Sequence, residues 1–260
     1  MERVEYQLMN ALEDNFWWYR ALHAIVAQRL SQLSLPAGAN VLDAGCGTGG
    51  MLKYLSQHAP QYHYCGLEWN KEAAAMAESK LADSKTGTAI TRGSVNSMPF
   101  GDQQFAAILS QDVLYHRNVD EQAMLQEFHR CLQPGGQLLV NVAAFQWMAS
   151  AHDEHVHGAR RYTEKQLQKL LQQNGFEVIR SGYWKSLLFP LMMLQRLTVG
   201  KHKASSDVET VSAWQNRIFH AVLDCERRLN LRLPFGGSVW IHARKGSCKK
   251  GFGQKNEAGE

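Results

Sequence analysis

Short apolar runs alternate with amphipathic stretches from Asn40 to Val142. These apolar runs predict five strands. The first begins at Asn40, and the others span 63–67, 88–92, 105–110 and 137–142. Between them, the 3.6-residue periodicity predicts helices over 71–81 and 120–132, the second ended by Pro134-Gly135-Gly136. Strands that alternate with helices of this length indicate βαβ units and a parallel sheet, with helices on both faces.

The flanking segments extend this pattern on both sides. Residues 2–33 read as helical around the aromatic centre Phe16-Trp17-Trp18-Tyr19-Arg20, which is either a hydrophobic cap on the sheet or a lid over a pocket, or both. A helix over 163–174 and a sixth strand over 176–183 follow the core. The insertion 184–231 holds an apolar run at 187–194, a polar break at 201–207 and a helix over 212–231.

These elements predict one domain over 1–245. It divides into an N-terminal helical cap (1–35), a core (40–183), the helical insertion (184–231) and a last strand (238–245). We expect the tail 246–260, which is rich in Gly and Lys and has no periodicity, to be disordered.

Composition narrows the class of protein. The chain has 260 residues, 45% of them hydrophobic, which suffices for a full core. The net charge of +4 is too small and too dispersed to predict a nucleic-acid partner. Five cysteines without a C-x-x-C pair argue against a disulfide framework and against a structural zinc site. The sequence also shows neither a signal-peptide pattern at its start nor an apolar run of membrane length, so we expect neither feature. We expect a cytoplasmic protein without a metal.

The segment Asn40-Val-Leu-Asp-Ala-Gly-Cys-Gly-Thr-Gly-Gly50 predicts a strand, a tight glycine turn and the start of a helix. Such a turn lets a ligand approach the backbone at a helix N-terminus. Gly45, Gly47 and Gly50 also satisfy G-x-G-x-x-G, which alone is a weak signal for a dinucleotide. Asp43, two residues before the first glycine, would repel a pyrophosphate and attract a cationic ammonium group.

This segment resembles motif I of the class I S-adenosylmethionine (SAM)-dependent methyltransferases. The resemblance implies an α/β, Rossmann-like seven-stranded, mostly parallel sheet with SAM as cofactor. Glu68 matches the acid that binds the ribose, and Trp69 could pack on the adenine. The segment Gly93–Phe100 resembles G-D-A-x-x-L-P-F, although Ser94 replaces the aspartate, so Ser94 or Val95 would contact the adenine. Gln111-Asp112-Val-Leu-Tyr115-His116 resembles the region at the reacting end of the cofactor. The predicted cofactor-binding set is Asp43, Gly45, Cys46, Gly47, Gly49, Glu68, Trp69, Ser94, Val95, Gln111 and Asp112.

The segment 152–163 concentrates polar residues after the fifth strand. It reads H-D-x-x-V-H-x-x-R-R-Y and, with W-W-Y-R near the start and L-P-F-G near the end, resembles a bacterial subgroup of these methyltransferases. Three interpretations stay open: a metal site, a structural network of arginines and acids, and an active-site loop, which we favour. In that loop His157 or His152 would be the general base, with His116 in reserve.

The acceptor is predicted to be a small molecule. Tyr19, Arg160, Arg161 and Tyr162 are the candidate substrate-binding residues, and arginine favours an amphiphilic acceptor with an acidic group. The apolar segment 184–200 could form the core, an acceptor pocket, a peripheral lipid contact or a subunit contact in a homodimer, with a monomer as the alternative. A nicotinamide-dependent oxidoreductase and a non-catalytic SAM-binding protein remain the rival functions.

Overall fold

A seven-stranded sheet forms the centre of the computed structural model, which describes residues 3–82, 87–149, 153, 157–199 and 211–246. The strands are β1 (Asn40–Ala44), β2 (His63–Glu68), β3 (Ala89–Arg92), β4 (Phe105–Gln111), β5 (Leu132–Ala143), β6 (Phe176–Trp184) and β7 (Ser238–Lys245). The helices are α1 (Arg3–Leu12), α2 (Trp17–Ser31), α3 (Gly50–His58), α4 (Lys71–Leu81), α5 (Glu121–Cys131), α6 (Glu164–Gln173), α7 (Phe189–Val199) and α8 (Ala213–Leu229).

The strand order is β3-β2-β1-β4-β5-β7-β6. Strands β1 to β5 pair in parallel, whereas β7 runs antiparallel to both β5 and β6. The predicted Rossmann-like, mostly parallel seven-stranded sheet is therefore confirmed. Because the order reverses between β1 and β4, a crevice opens at their carboxyl ends, where open α/β sheets bind ligands.

Neighbouring residues along the strands point into two separate cores. Leu42 and Ile108 pack with α5 and α6 on one face, while the adjacent Val41 and Leu109 pack with α2 and α3 on the other. This alternation follows from the two-residue period of a strand. Both faces of the sheet are covered, which explains why β4 reads as a continuous apolar run.

Two predicted boundaries are wrong. Residues 2–33 do not form one helix, because α1 ends at Leu12 and α2 begins at Trp17. Glu13 lies in this break, and its side chain accepts hydrogen bonds from Thr48 and Gly50 next to the glycine turn. Strand β5 begins at Leu132 rather than at 137 and runs through Pro134-Gly135-Gly136, so α5 ends at Cys131, before the proline.

The insertion supplies two helices, of which α8 joins the N-terminal cap. Trp17 packs edge-on against Phe219 at 5.4 Å between ring centroids, and its backbone N–H donates to Asn216 Oδ1 at 2.7 Å. The polar break at 201–207 and nearly all of the predicted tail lie outside the described residues. Among the described helices, none combines the length and the apolar character that a membrane crossing requires.

Candidate active site

The glycine turn between β1 and α3 has the backbone that its sequence predicts. Gly45 has φ 89°, and a side chain there would lie 2.4 Å from Val113, so glycine is required on both counts. The backbone N–H groups of Gly45 and Cys46 donate to the Leu67 carbonyl at 2.8 and 3.0 Å. These bonds fix the turn against the end of β2, where Glu68 follows.

Glu68 ends β2 and is held directly over the turn. Its carboxylate accepts hydrogen bonds from the backbone N–H groups of Gly47 at 2.9 Å and Asn70 at 2.8 Å, and from the Tyr6 hydroxyl at 3.4 Å. Burial raises the pKa of Glu68, and the two backbone hydrogen bonds act against this. A ribose hydroxyl is the kind of donor that a carboxylate in this position accepts.

Asp43 lies beneath the turn and is 2% exposed. Burial, together with the nearby Glu68 and Glu13, raises the pKa of Asp43 to about 7. Three carboxylates thus surround the glycine turn. Their negative potential favours a cationic ligand and disfavours a pyrophosphate.

A cavity of about 430 Å³ opens above the turn at the carboxyl ends of β1 and β4. Most of the predicted cofactor residues line it, namely Gly45, Gly47, Glu68, Trp69, Ser94, Val95, Gln111 and Asp112. Asp43, Cys46 and Gly49, the other three members of the predicted set, are not among the residues that line the cavity. Helix α1 forms the roof through Glu5, Tyr6, Leu8, Met9 and Leu12, and the aromatic centre adds Trp18 and Tyr19.

The far end of the cavity collects Asp112, Tyr115, His116 and His157. Asp112 follows β4 with φ 55°, and burial raises its pKa to about 6. His157 also has a positive φ, 56°, and the His116 ring stacks on Tyr115 at 4.6 Å. The cavity lining that the structure describes includes three acids and no Lys or Arg.

The residues predicted to bind substrate separate into two groups. Tyr19 lines the cavity, whereas Arg160, Arg161 and Tyr162 do not. Arg160 donates to the carbonyls of His116 and Val119 at 2.9 and 2.6 Å.

The other two members of the segment also have protein partners. The Arg161 guanidinium donates two hydrogen bonds to the Asp153 carboxylate, a bidentate pair with both distances 3.0 Å. The Tyr162 hydroxyl donates to the Glu121 carboxylate. The structure thus places Arg160, Arg161 and Tyr162 in the network that was the structural alternative for this segment.

The structure describes two of the three candidate bases. His116 and His157 meet at the cavity, while His152 and the neighbouring His155 lie outside the described residues. Within the described part of the chain, no group of three or more His, Cys, Asp or Glu side chains is arranged to hold a metal ion.

Sequence reasoning missed two buried charged residues near the site, Glu13 and Lys185. Glu13 accepts hydrogen bonds from the Thr48 hydroxyl at 2.6 Å and the Gly50 N–H at 3.0 Å, and it pairs with Lys80. Lys185 follows β6 and lies 4.5 Å from the centre of the Trp18 ring. Neither belongs to a local motif, since their partners are distant in sequence.

A cavity at the switch point, a glycine turn and an acid after β2 define an α/β protein that binds a nucleoside-containing cofactor. A family model described as a methyltransferase domain matches residues 17–181. The chain belongs to this methyltransferase family. S-Adenosylmethionine is the cofactor of the family, and the fold of the chain is that of its class I members.

Two proteins that are similar to this chain in sequence are also named as methyltransferases. A Mycolicibacterium smegmatis protein named "Probable S-adenosylmethionine-dependent methyltransferase" is 27% identical over 168 residues, 64% of this chain and 61% of its own. The Mus musculus "Probable tRNA methyltransferase 9B" is 36% identical over 116 residues, 42% of this chain and 23% of its own. The chain therefore matches less than two thirds of the length of either relative.

A solved structure shows the same fold. Geranyl diphosphate C-methyltransferase from Streptomyces coelicolor, in complex with Mg²⁺, geranyl-S-thiolodiphosphate and S-adenosylhomocysteine, superposes with a TM-score of 0.59 at 15% identity. The superposition covers 85% of this chain and 76% of that one.

The residues of the cavity fit SAM. Glu68 lines the cavity and would accept a hydrogen bond from a ribose hydroxyl, and the negative charge of the acids would suit the ammonium and sulfonium groups. Gln111 Oε1 is buried and has no hydrogen-bond partner among the described residues, so an acceptor atom is left for a ligand donor. Trp69, 73% exposed at the rim, presents a ring that an adenine could cover.

Proposed function

We propose that this protein transfers a methyl group from SAM to a small-molecule acceptor. The observation that carries the proposal is the cavity itself, whose lining joins the glycine turn and Glu68 to His116, His157 and Asp112. When bound, SAM supplies an electrophilic methyl group on a positively charged sulfur. The roof formed by α1 and Trp18 would exclude water, and the lining would align donor and acceptor.

A base is required when the acceptor must lose a proton on methylation. His116 and His157 are the histidines of the predicted set that reach the cavity, and His157 remains our first candidate. Asp112 is a third proton acceptor in the same place. A base of this kind contributes about 10²–10⁴-fold to a rate.

The argument for an acidic group on the acceptor no longer holds. Arg160 and Arg161 suggested it, but both guanidinium groups bind protein carbonyls or carboxylates outside the cavity. The described lining carries negative charge, which favours a neutral or cationic acceptor. The same charge argues against tRNA, the substrate class in the name of one relative.

Transfer of a labelled methyl group tests the proposal. The purified protein and labelled SAM are incubated with panels of apolar amines, phenols and carboxylic acids and, separately, with tRNA. We expect label in a small molecule, and we expect His157→Ala to lower turnover about 10²-fold with unchanged affinity for S-adenosylhomocysteine.

The control for this experiment is His63→Ala, which removes an exposed histidine at the opposite end of β2. It should leave turnover unchanged. Label in tRNA alone would contradict the proposed acceptor. Cofactor binding without transfer to any acceptor would favour the non-catalytic alternative.

A further inference from the structure

A second cleft lies on the face of the sheet that α2 and α8 cover. Its volume is about 40 Å³, against about 430 Å³ for the cofactor cavity, so it has room for one small group and not for a cofactor. Among the described residues, none lines both the cleft and the cavity. The charged and amide side chains that line the cleft are Gln28, Arg29, Gln32, Arg180, Glu226, Arg227, Asn230 and Arg232.

Four arginines reach this cleft from separate parts of the chain. Arg29 and Arg227 lie in the last turns of α2 and α8, where a basic side chain also interacts favourably with the helix dipole. Arg180 belongs to β6, and Arg232 follows α8. The helix dipole therefore accounts for at most two of the four arginines, and their meeting at one cleft needs another explanation.

The lining of the cleft that the structure describes contains one acid, Glu226. Its carboxylate accepts hydrogen bonds from the backbone N–H groups of Ser186 and Leu187 at 3.0 and 3.1 Å. This acid is therefore engaged with the turn that follows β6. One carboxylate cannot neutralise four arginines, so the cleft keeps an excess of positive charge.

The four arginines differ in their partners. Arg227 forms an ion pair with Asp224 at 2.5 Å, so its charge is already compensated. Among the described residues, none forms an ion pair with Arg29, Arg180 or Arg232. Three guanidinium groups at one small cleft thus have no carboxylate within ion-pair distance.

The Arg29 guanidinium is stacked on an aromatic ring. Its central carbon lies 3.8 Å from the centre of the Trp240 ring. A stacked guanidinium keeps its N–H donors in its own plane, where they remain available to a ligand. Burial lowers the pKa of Arg29, while Glu226 acts against this. An anion in the cleft would compensate a charge that has been taken out of water.

We propose that this cleft is a phosphate-binding site, separate from the cofactor cavity, in which Arg29, Arg180 and Arg232 bind the oxygens of one phosphate group. The planar fork of arginine matches phosphate, and a phosphate has enough acceptor oxygens for several arginines that approach from different sides. Arg180 and Arg232 are exposed, so the cleft is open to solvent on their side. It can therefore take free phosphate or the phosphate group of a larger molecule.

The cleft lies where three parts of the fold meet. Helix α2 belongs to the N-terminal cap, α8 belongs to the insertion, and β6 is an edge strand of the sheet. Trp18 and Tyr19, in the first turn of α2, line the cofactor cavity. A bound phosphate would tie this helix to α8 and β6, and it should raise the Tm of the protein because it binds the folded chain only.

Proton–nitrogen NMR of the arginine Nε–H groups tests the site directly. The signals are assigned by their loss in Arg29→Lys, Arg180→Gln and Arg232→Gln. Inorganic phosphate should move these three signals with one shared Kd, whereas sodium chloride at the same ionic strength should not. Glycerol phosphate, titrated in parallel, distinguishes the two sources, since tighter binding of the ester would assign the cleft to a phosphorylated molecule.

Two double variants with the same loss of charge separate the site from general attraction. Arg180→Gln with Arg232→Gln removes two arginines of the cleft. Arg217→Gln with Arg228→Gln removes two exposed arginines of α8 that do not line it. Calorimetry should show phosphate binding at least about tenfold more weakly to the first double variant and nearly unchanged binding to the second.

Three results would overturn the inference. They are arginine shifts that chloride reproduces, equal weakening in the two folded double variants, and a folded wild type whose arginine signals neither phosphate probe moves. Competition between phosphate and S-adenosylhomocysteine would also contradict it, because it would place the phosphate in the cofactor cavity. Failure of S-adenosylhomocysteine itself to bind would concern the proposed function and not this cleft.

Discussion

Asp43 shows at the scale of one residue how a binding site can cost stability. Its carboxyl group is buried near two other acids, Glu68 and Glu13. Its pKa in the folded chain, about 7, lies above the ordinary value of 3.8. The folded chain therefore binds more protons than the unfolded chain between these values, and the stability contributed by Asp43 is lost as the pH rises through about 7.

Asp43→Asn should make the ligand-free protein more stable at pH 8, by about 1–3 kcal/mol in the free energy of unfolding, and by a smaller amount at pH 5, because the destabilisation by Asp43 grows between pH 3.8 and about 7. The same variant should bind SAM at least about tenfold more weakly, because the ammonium loses an ionised partner. Urea unfolding at both pH values and calorimetry measure the two effects. Asp102→Asn, at an exposed acid, is the control. Unchanged stability and unchanged affinity would together remove Asp43 from the cofactor site.

At the scale of elements, the break between α1 and α2 connects the roof of the cavity to the glycine turn. Helix α1 has no fully buried residue of its own. Glu13, directly after it, bonds Thr48 and Gly50 at the start of α3 and pairs with Lys80 of α4. The Glu13 and Lys80 side chains are 4% and 12% exposed. Burial raises the pKa of Glu13, while Lys80 and the hydrogen bonds act against this.

Glu13→Gln should lower the free energy of unfolding by about 3 kcal/mol, because it leaves the buried Lys80 charge without its partner. Adding Lys80→Met should recover part of this loss, and the double-mutant cycle measures the coupling. The exposed pair of Asp14 and Lys53 is the matched control, since Asp14→Asn should cost at most about 1 kcal/mol. A Glu13→Gln protein as stable as the wild type would show that the pair does not hold α1.

Local patterns predicted many of these elements but not their long-range contacts. Helix α4 occupies 71–81 as predicted, because the Asn70 side chain caps its first turn and the alanines face the core. Helix α6 begins after Thr163, which forms a capping box with Gln166. The break after Leu12 and the contacts of Glu13 and Lys185 depend on partners far along the chain. Sequence periodicity carries no information about such partners.

The same distinction holds within the site. Glu68 and Gln111 end their strands and Gly45 directly follows β1, so their meeting at the carboxyl ends of the strands was predictable. Arg160 and Arg161 also follow the predicted order, but their guanidinium groups turn to carbonyls and to Asp153. A rich cluster of polar residues in a sequence therefore does not indicate which of them face a ligand.

At the scale of the whole molecule, the strand order, the roof and the acids produce one cavity suited to SAM. A ligand that binds only the folded chain stabilises it by mass action, by about 2.7 kcal/mol at a hundred times its Kd. The same cavity disfavours a dinucleotide, because a pyrophosphate at the glycine turn would lie against Glu68 in the cavity wall, with the buried Asp43 and Glu13 nearby.

Calorimetric titration of the purified protein with SAM, S-adenosylhomocysteine and NAD(H) is the most direct test of this account. We predict that both adenosyl ligands bind with micromolar or tighter affinity at one site per chain and that NAD(H) does not bind, as the acids around the glycine turn require. Binding of NAD(H), or failure of both adenosyl ligands to bind a folded protein, would contradict it.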